Sequence, residues 1–201
     1  MRYKIRNSAT REKIILEAFK LFVTKSLAEI TFADIEKSTG LSRGGILHYF
    51  ETKEKLFFEI VEHFVLKRNN DIPIDPQKNV WENIKEFINF QKREQDYFAS
   101  MGIMNINRAH INMSINVAHI IDDIERKSAV WIEKEINYWR KLLTLAQQKG
   151  EIKRNLDIDV EARLFFNVYW GNSYISINTP NGCNWDMLQD QYYVLYAHIR
   201  T

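Results

Sequence analysis

The chain has 201 residues, 45% hydrophobic and 13% aromatic, with 27% charged and a formal net charge of +2. This is apolar material enough for one large or two small domains, and the absence of any run of roughly 18 or more apolar residues excludes a membrane-spanning helix on hydropathy alone. A single cysteine, Cys183, excludes an internal disulfide framework and a cysteine-cluster metal site. The N-terminus is basic but is not followed by an apolar core, so it does not read as a secretory signal. These features fit a cytoplasmic protein. The charge is unevenly divided: residues 1–55 carry 11 Lys/Arg against 7 Asp/Glu, whereas residues 56–201 carry 17 against 19. That sign fits an N-terminal part made for a polyanion and a C-terminal part with other work.

In chain order, a basic tail with Arg2, Lys4 and Arg6 precedes a helix over residues 10–22. There Ile14, Ile15, Ala18, Phe19 and Phe22 recur at the three-to-four-residue spacing of one amphipathic face. Residues 31–53 are the most informative stretch. Thr31 is placed to cap a short helix through its hydroxyl, and Asp34 three positions on completes a near capping box. Thr39-Gly40 ends that helix, because glycine tolerates the positive φ of a C-cap. Ser42 caps the next. Two helices this short are not stable alone, and a compact pair joined by a glycine turn is the sequence form of a helix-turn-helix. Thr52 then caps a helix over residues 52–70, with Leu56, Phe57, Ile60, Phe64 and Val65 on its apolar side. Pro73 and Pro76 end it, since proline disfavours helical geometry in the residue before it.

Residues 77–95 form the next helix, with Val80, Trp81, Ile84, Phe87, Ile88 and Phe90 apolar. Residues 96–115 are less regular: Gly102 and several asparagines predict a break near residues 108–113. A long helix over residues 116–149 is closed by Gly150. Asp157 caps a helix reaching residue 177, with Asp159 and Glu161 in its first turns where the dipole favours acids. Thr179-Pro180-Asn181-Gly182 is a turn, and a last helix spans residues 184–199. Glycine and proline are scarce and no strand-like alternation appears, so the expected fold is all-α with about nine helices.

The set Ile15, Ala18, Phe19, Phe22, Thr31, Ile35, Gly40, Leu41, Ser42, Gly44, Tyr49, Phe50, Lys53 and Leu56 resembles the N-terminal domain of TetR-family (TetR/AcrR-type) transcriptional regulators. The likeness covers the first quarter to third of the chain; the rest fits by length and helical content. It implies a DNA-binding domain over residues 1–55, linked by the helix over 52–70 to an effector-binding and dimerisation domain over residues 71–201. The segment 42–49 becomes the recognition helix, which enters the major groove. Arg43 is then the candidate base reader, since a guanidinium pairs bidentately with guanine. Gly44 and Gly45 let the backbone approach DNA closely. His48, Tyr49, Lys53 and Thr31 become candidate phosphate contacts, with Lys53 and Thr31 at helix N-termini. Ser42 belongs to the set as the cap. Arg2, Lys4 and Arg6 would be either a minor-groove arm or a solvated tail. The chain departs from the family pattern at Gly45, where a small hydroxyl residue is usual, and at Leu47, where a tyrosine usually touches the backbone.

For the C-terminal part the resemblance implies an effector pocket. The aromatic and soft side chains Phe87, Met101, Met104, Trp131, Trp139 and Trp170, with the polar Asn105, Arg108 and Asn167, are its candidate lining, favouring an apolar or aromatic small molecule. Dimerisation falls to residues 157–177 and 184–199, whose two helices from each subunit would make an isologous four-helix interface with Phe165, Val168, Tyr169, Tyr192, Leu195 and Tyr196 as anchors. The implied function is a dimeric repressor released from a palindromic operator by that effector. The alternative is a helical interaction module of the same fold without sequence-specific DNA binding. No nucleophile elbow, P-loop, zinc-protease or dinucleotide motif is present, so neither enzymatic activity nor a cofactor or metal is expected.

Overall fold

The computed structural model describes the backbone of residues 2–66, 72–117 and 123–201. The side chains of residues 2–7, 65, 66 and 116 lie outside the description, and with them the proposed roles of Arg2, Lys4, Arg6 and Val65. The described residues form nine α-helices and no strand beyond an isolated bridge between Ile152 and Arg200. No helix among them is long and apolar enough to cross a membrane, and no group of three or more His, Cys, Asp or Glu side chains is able to hold a metal ion. The chain divides into two compact units. One comprises Met1–Asn69 with Ala109–Lys127; the other comprises Asn70–Arg108 with Ser128–Thr201.

The first unit begins with α1 (Arg2–Phe22), followed by α2 (Phe32–Thr39), α3 (Arg43–Phe50) and α4 (Lys53–Val61). Helix α1 starts eight residues earlier than the expected boundary at residue 10. No proline or glycine interrupts residues 2–9, and the Ser8 hydroxyl donates one turn ahead to Glu12 (3.1 Å) instead of capping. The expected apolar face is the buried one: Ile14, Ala18, Phe19 and Phe22 are fully enclosed together with Ile35, Ile46, Leu56, Phe57 and Ile60. Each of the isoleucine, leucine and phenylalanine side chains contributes roughly 1.5–3 kcal/mol relative to exposure. Phe19 stacks on Phe64 (3.9 Å between centroids), and Phe22 packs at a tilt on Phe57 (4.9 Å). Helix α4 is regular only to Val61. A π-helical turn, Glu62–Leu66, follows it, and residues 67–71, the rest of the expected helix and the start of its break, lie outside the described residues.

The second unit holds α5 (Val80–Ser100), most of α7 (Ile124–Gln148), α8 (Ile158–Ile175) and α9 (Trp185–Ile199); α6 (Ile106–Val117) begins in it and passes into the first unit. Asn79 and Glu82 form a full capping box on α5. The expected break at residues 108–113 is not there. The chain breaks at 101–105, where Gly102 adopts φ +87, and α6 runs through 108–113 unbroken. The asparagines on it and just before it form bonds that support the helix rather than disrupting it. Asn105 accepts from the Arg108 N–H (3.0 Å) as a cap, and the Asn112 amide donates to the Val23 carbonyl (2.9 Å). Residues 118–122, early in the expected long helix, lie outside the described residues, and that helix is observed from Ile124.

Trp139 is the centre of this unit's core, with Phe87 at 4.6 Å, Phe165 at 5.2 Å and Tyr192 at 5.2 Å between ring centroids. The Tyr192 hydroxyl, taken out of water, donates to the Phe165 carbonyl (3.1 Å), and burial raises its pKa well above the ordinary tyrosine value. Burial likewise pushes the Cys183 thiol up to about 11, which leaves it unreactive near neutral pH. Phe165 and Tyr192 were expected as dimer anchors. Both are fully enclosed within the one chain, because the apolar side of α8 and α9 that carries them packs inward. The outward side is a different set: Val160, Leu164, Tyr174, Ile175, Met187, Tyr193 and Val194.

Candidate nucleic-acid interface

Helices α2 and α3 are held at both ends by the residues the sequence singled out. Thr31 and Asp34 form the complete capping box: the Thr31 N–H donates to the Asp34 carboxylate (2.8 Å) and the Asp34 N–H donates to the Thr31 hydroxyl (3.2 Å). Both backbone-side groups that Thr31 would offer to a phosphate are therefore already engaged in the cap. These bonds favour the ionised carboxyl, and the Thr31 hydroxyl and N–H hold the Asp34 pKa below its usual range. Gly40 ends α2 in the left-handed region (φ +69), with its N–H donating to the Glu36 carbonyl (2.8 Å). Ser42 caps α3, accepting from the Gly45 N–H (3.3 Å). A second cap comes from α2: Glu36 accepts from the Arg43 N–H (2.5 Å), tying the two helices across the turn.

On α3, Ile46 and Phe50 face the core and fix the helix to the unit. The opposite side presents Ser42, Arg43, Gly44 and His48 to solvent, with Gly45, Leu47 and Tyr49 half-buried. The His48 and Tyr49 rings meet edge to face at 5.2 Å. The Arg43 guanidinium lies over the Phe32 ring, 4.7 Å from its centroid. A Cβ at Gly44 would meet no atom within 4 Å, and one at Gly45 would meet only ordinary contacts. Nothing inside the chain requires glycine at either position. Gly44→Ala is expected to raise folding stability by up to about 1 kcal/mol through helix propensity. If the backbone closely approaches DNA here, the same change weakens DNA binding. Thermal denaturation and a binding titration on the same variant check both halves.

Helix α3 ends at Glu51 (φ 56, ψ −46), a conformation rare for a non-glycine residue. The Thr52 N–H turns back to the Phe50 carbonyl (2.5 Å) across it, a γ-turn that leads directly into α4, where Thr52 caps by accepting from the Lys55 N–H (3.1 Å). At the start of α4, Lys53 is where the resemblance places it, yet its ammonium has work inside the chain. It donates to the Leu27 and Ile30 carbonyls, both at 2.7 Å, clamping the α1–α2 loop. The spacing of 23 and 26 residues carries no sequence signal for this. Hydrogen bonds to a charged group are each worth about 1.5–3 kcal/mol, so Lys53→Met is expected to lower folding stability by roughly 1–3 kcal/mol, measured by urea denaturation in the absence of DNA.

The nine expected effector-lining residues do not converge. A cavity of about 970 Å³ in the second unit is lined by Ile72, Ile74, Phe87, Val130 and Tyr138, with Glu133, Lys134, Glu135, Asn137 and Lys141 also contributing. Of the nine, Phe87 lines it. Trp139 is core. Trp131 and Trp170 meet edge to face at 5.2 Å, and the Trp170 indole N–H is buried without an acceptor among the described residues. The Asn105 amide donates to the Ser176 and Thr179 carbonyls (both 2.8 Å), and the Arg108 guanidinium donates to the Ile177 carbonyl (2.7 Å), so both are structural ties. Met101 follows the last turn of α5 and Met104 is exposed. Asn167 lies in a groove of about 530 Å³ between α8 and α9, with Gly171, Ile175, Met187 and Val194.

A glycine-turned helix pair on a three-helix core, with the second helix presenting Arg43 and Gly44 outward, is the geometry of a helix-turn-helix. Residues 14–60 match the family model described as bacterial regulatory proteins, tetR family. The HTH-type transcriptional regulator EthR of Mycolicibacterium smegmatis is 29% identical over 83 residues, a stretch spanning 38% of each chain. Among solved structures, a TetR-family transcriptional regulator from Cytophaga hutchinsonii aligns with a TM-score of 0.72 and 19% identity over 96% of both chains. TylP, a TetR regulator from Streptomyces fradiae, aligns with a TM-score of 0.63 and 22% identity over 98% of this chain and 89% of its own. The family match is confined to residues 14–60, and the structural likenesses, at 22% identity or less, extend the fold over nearly the whole length of the chain.

Proposed function

We propose that the protein is a homodimeric transcriptional repressor of the cytoplasm that grips a palindromic operator with one α3 per protomer and lets go when a small apolar or aromatic effector occupies its C-terminal unit. The single observation that carries the DNA-binding part is the outer side of α3: an exposed Arg43 at its start, beside two glycines that the chain's own packing does not need. His48, Tyr49 and the N-terminus of α4 at Lys53 are the phosphate-side groups of this reading, and Leu47 removes the tyrosine contact usual in the family. The outward apolar side of α8 and α9 supports the dimer. Two-fold symmetry then spaces two half-sites about one helical turn apart. The cavity beside Phe87 and Tyr138 supports the effector, which acts by binding more tightly to the conformer whose two α3 helices do not fit adjacent grooves.

Phosphate contacts release counterions, so affinity for bulk duplex DNA is expected to fall on the order of 100-fold between roughly 50 and 200 mM salt. A titration by fluorescence anisotropy at those two concentrations checks this. Binding that is absent, or flat with salt, would favour the interaction-module reading of the same fold.

A further inference from the structure

The DNA-binding reading leaves one question on α3: what aims its arginine. A long, exposed arginine on a short helix samples many rotamers, and a base edge accepts few of them. Arg11, Arg126, Arg140 and Arg163 are each paired with a carboxylate. The Arg43 guanidinium has neither ion pair nor hydrogen bond among the described residues; what holds it is the Phe32 ring, 4.7 Å away. Phe32 opens α2 and is half-buried, an expensive place for a large apolar ring unless something covers its outer side. The geometry between the two is not left to side-chain flexibility. The capping box at Thr31 fixes the residue before Phe32, and the Glu36 carboxylate holds the Arg43 N–H, so both backbones are pinned.

We infer that Phe32 is a positioning residue for base recognition: its ring holds the Arg43 guanidinium over the start of α3 while leaving that group's N–H donors unspent. A cation over an aromatic ring is attracted through its charge, and an arginine so placed keeps a planar fork of donors matched to guanine O6 and N7. Glu36 adds a second effect. A carboxylate at the N-terminus of α3 occupies the place where a phosphate would otherwise be favoured, so the start of the helix is left to a base edge. The preferred ligand at this point is a guanine in the major groove, and Phe32 sets how strongly it is preferred.

The inference rests on the proposed DNA-binding function, and its test separates the two. The probe is a duplex carrying the site recovered by selection with the unaltered full-length chain, together with its single-base variants. The position read by Arg43 is the one at which Arg43→Ala loses discrimination. There the unaltered chain is expected to prefer its base by about tenfold or more, the range of one bidentate pair. Phe32→Leu should cut that preference at least several-fold while leaving the salt slope unchanged, Phe32→Tyr should keep it, and Phe32→Leu added to Arg43→Ala should cost nothing further at that base. Discrimination unchanged in Phe32→Leu, or affinity lowered equally on every sequence, overturns the inference. A measurement on the unaltered, DNA-free chain stands apart from any folding defect: the order parameter of the Arg43 Nε–H should exceed that of the exposed Arg154. Equal values overturn the inference as well. No recovered site in the unaltered chain overturns the function beneath it.

Discussion

Val194→Asp is expected to convert the proposed dimer to a monomer in sedimentation equilibrium and to lower affinity for a two-half-site duplex by about 100-fold or more. Val194 is 67% exposed on α9 and Ile175 73% exposed at the end of α8, and both line the groove between those helices. A carboxylate there costs nothing in the separated chain but would be desolvated without a partner in a helix-on-helix interface. Two linked α3 helices gain from effective concentration what a single one lacks, and that advantage runs from about 10² to 10⁴. Far-ultraviolet circular dichroism should remain unchanged, because the substituted side chain faces outward. A variant that stays dimeric would move the interface away from α8 and α9.

The second large effect falls on folding. Trp139→Ala is expected to destabilise the C-terminal unit by about 3–5 kcal/mol, the cost of removing a fully enclosed aromatic together with the cavity it leaves. Trp139 is 1% exposed and packs on Phe87, Phe165 and Tyr192, so the loss is felt by α5, α7, α8 and α9 at once. The rings around it are large and interlocked, which limits collapse into the space. Near-ultraviolet circular dichroism during urea denaturation reports the shift. A change below about 1 kcal/mol would mean that the four-ring cluster repacks freely.

Local chemistry made the first unit readable. Thr31, Gly40, Ser42 and Thr52 are caps or turn residues whose roles follow from their own backbone and the next few positions, and each appears where its side chain or φ angle requires. The amphipathic face from Ile14 to Phe22 is legible for the same reason. What the sequence could not show is contact between residues far apart along the chain. The Lys53 ammonium reads as a free cation at a helix start, yet it clamps Leu27 and Ile30. Phe32 reads as one more apolar residue of α2, though its ring carries Arg43. The asparagines of α6 lower intrinsic helix propensity, and the missed continuity through 108–113 arises because Asn105 and Asn112 are satisfied by partners that propensity does not see. The same limit scattered the expected effector residues. Aromatic side chains at helical spacing do not say which of them close the core, as Trp139 does, and which border a cavity, as Phe87 also does.

Operator recognition is tested most directly by selection of genomic DNA fragments with the purified full-length protein, followed by sequencing. The expected result is a recovered palindrome with half-sites about one helical turn apart, lost when Arg43 is replaced by alanine. Fragments enriched without a shared sequence, or a motif that Arg43→Ala recovers equally well, would contradict it and return the fold to an interaction module whose partner lies elsewhere.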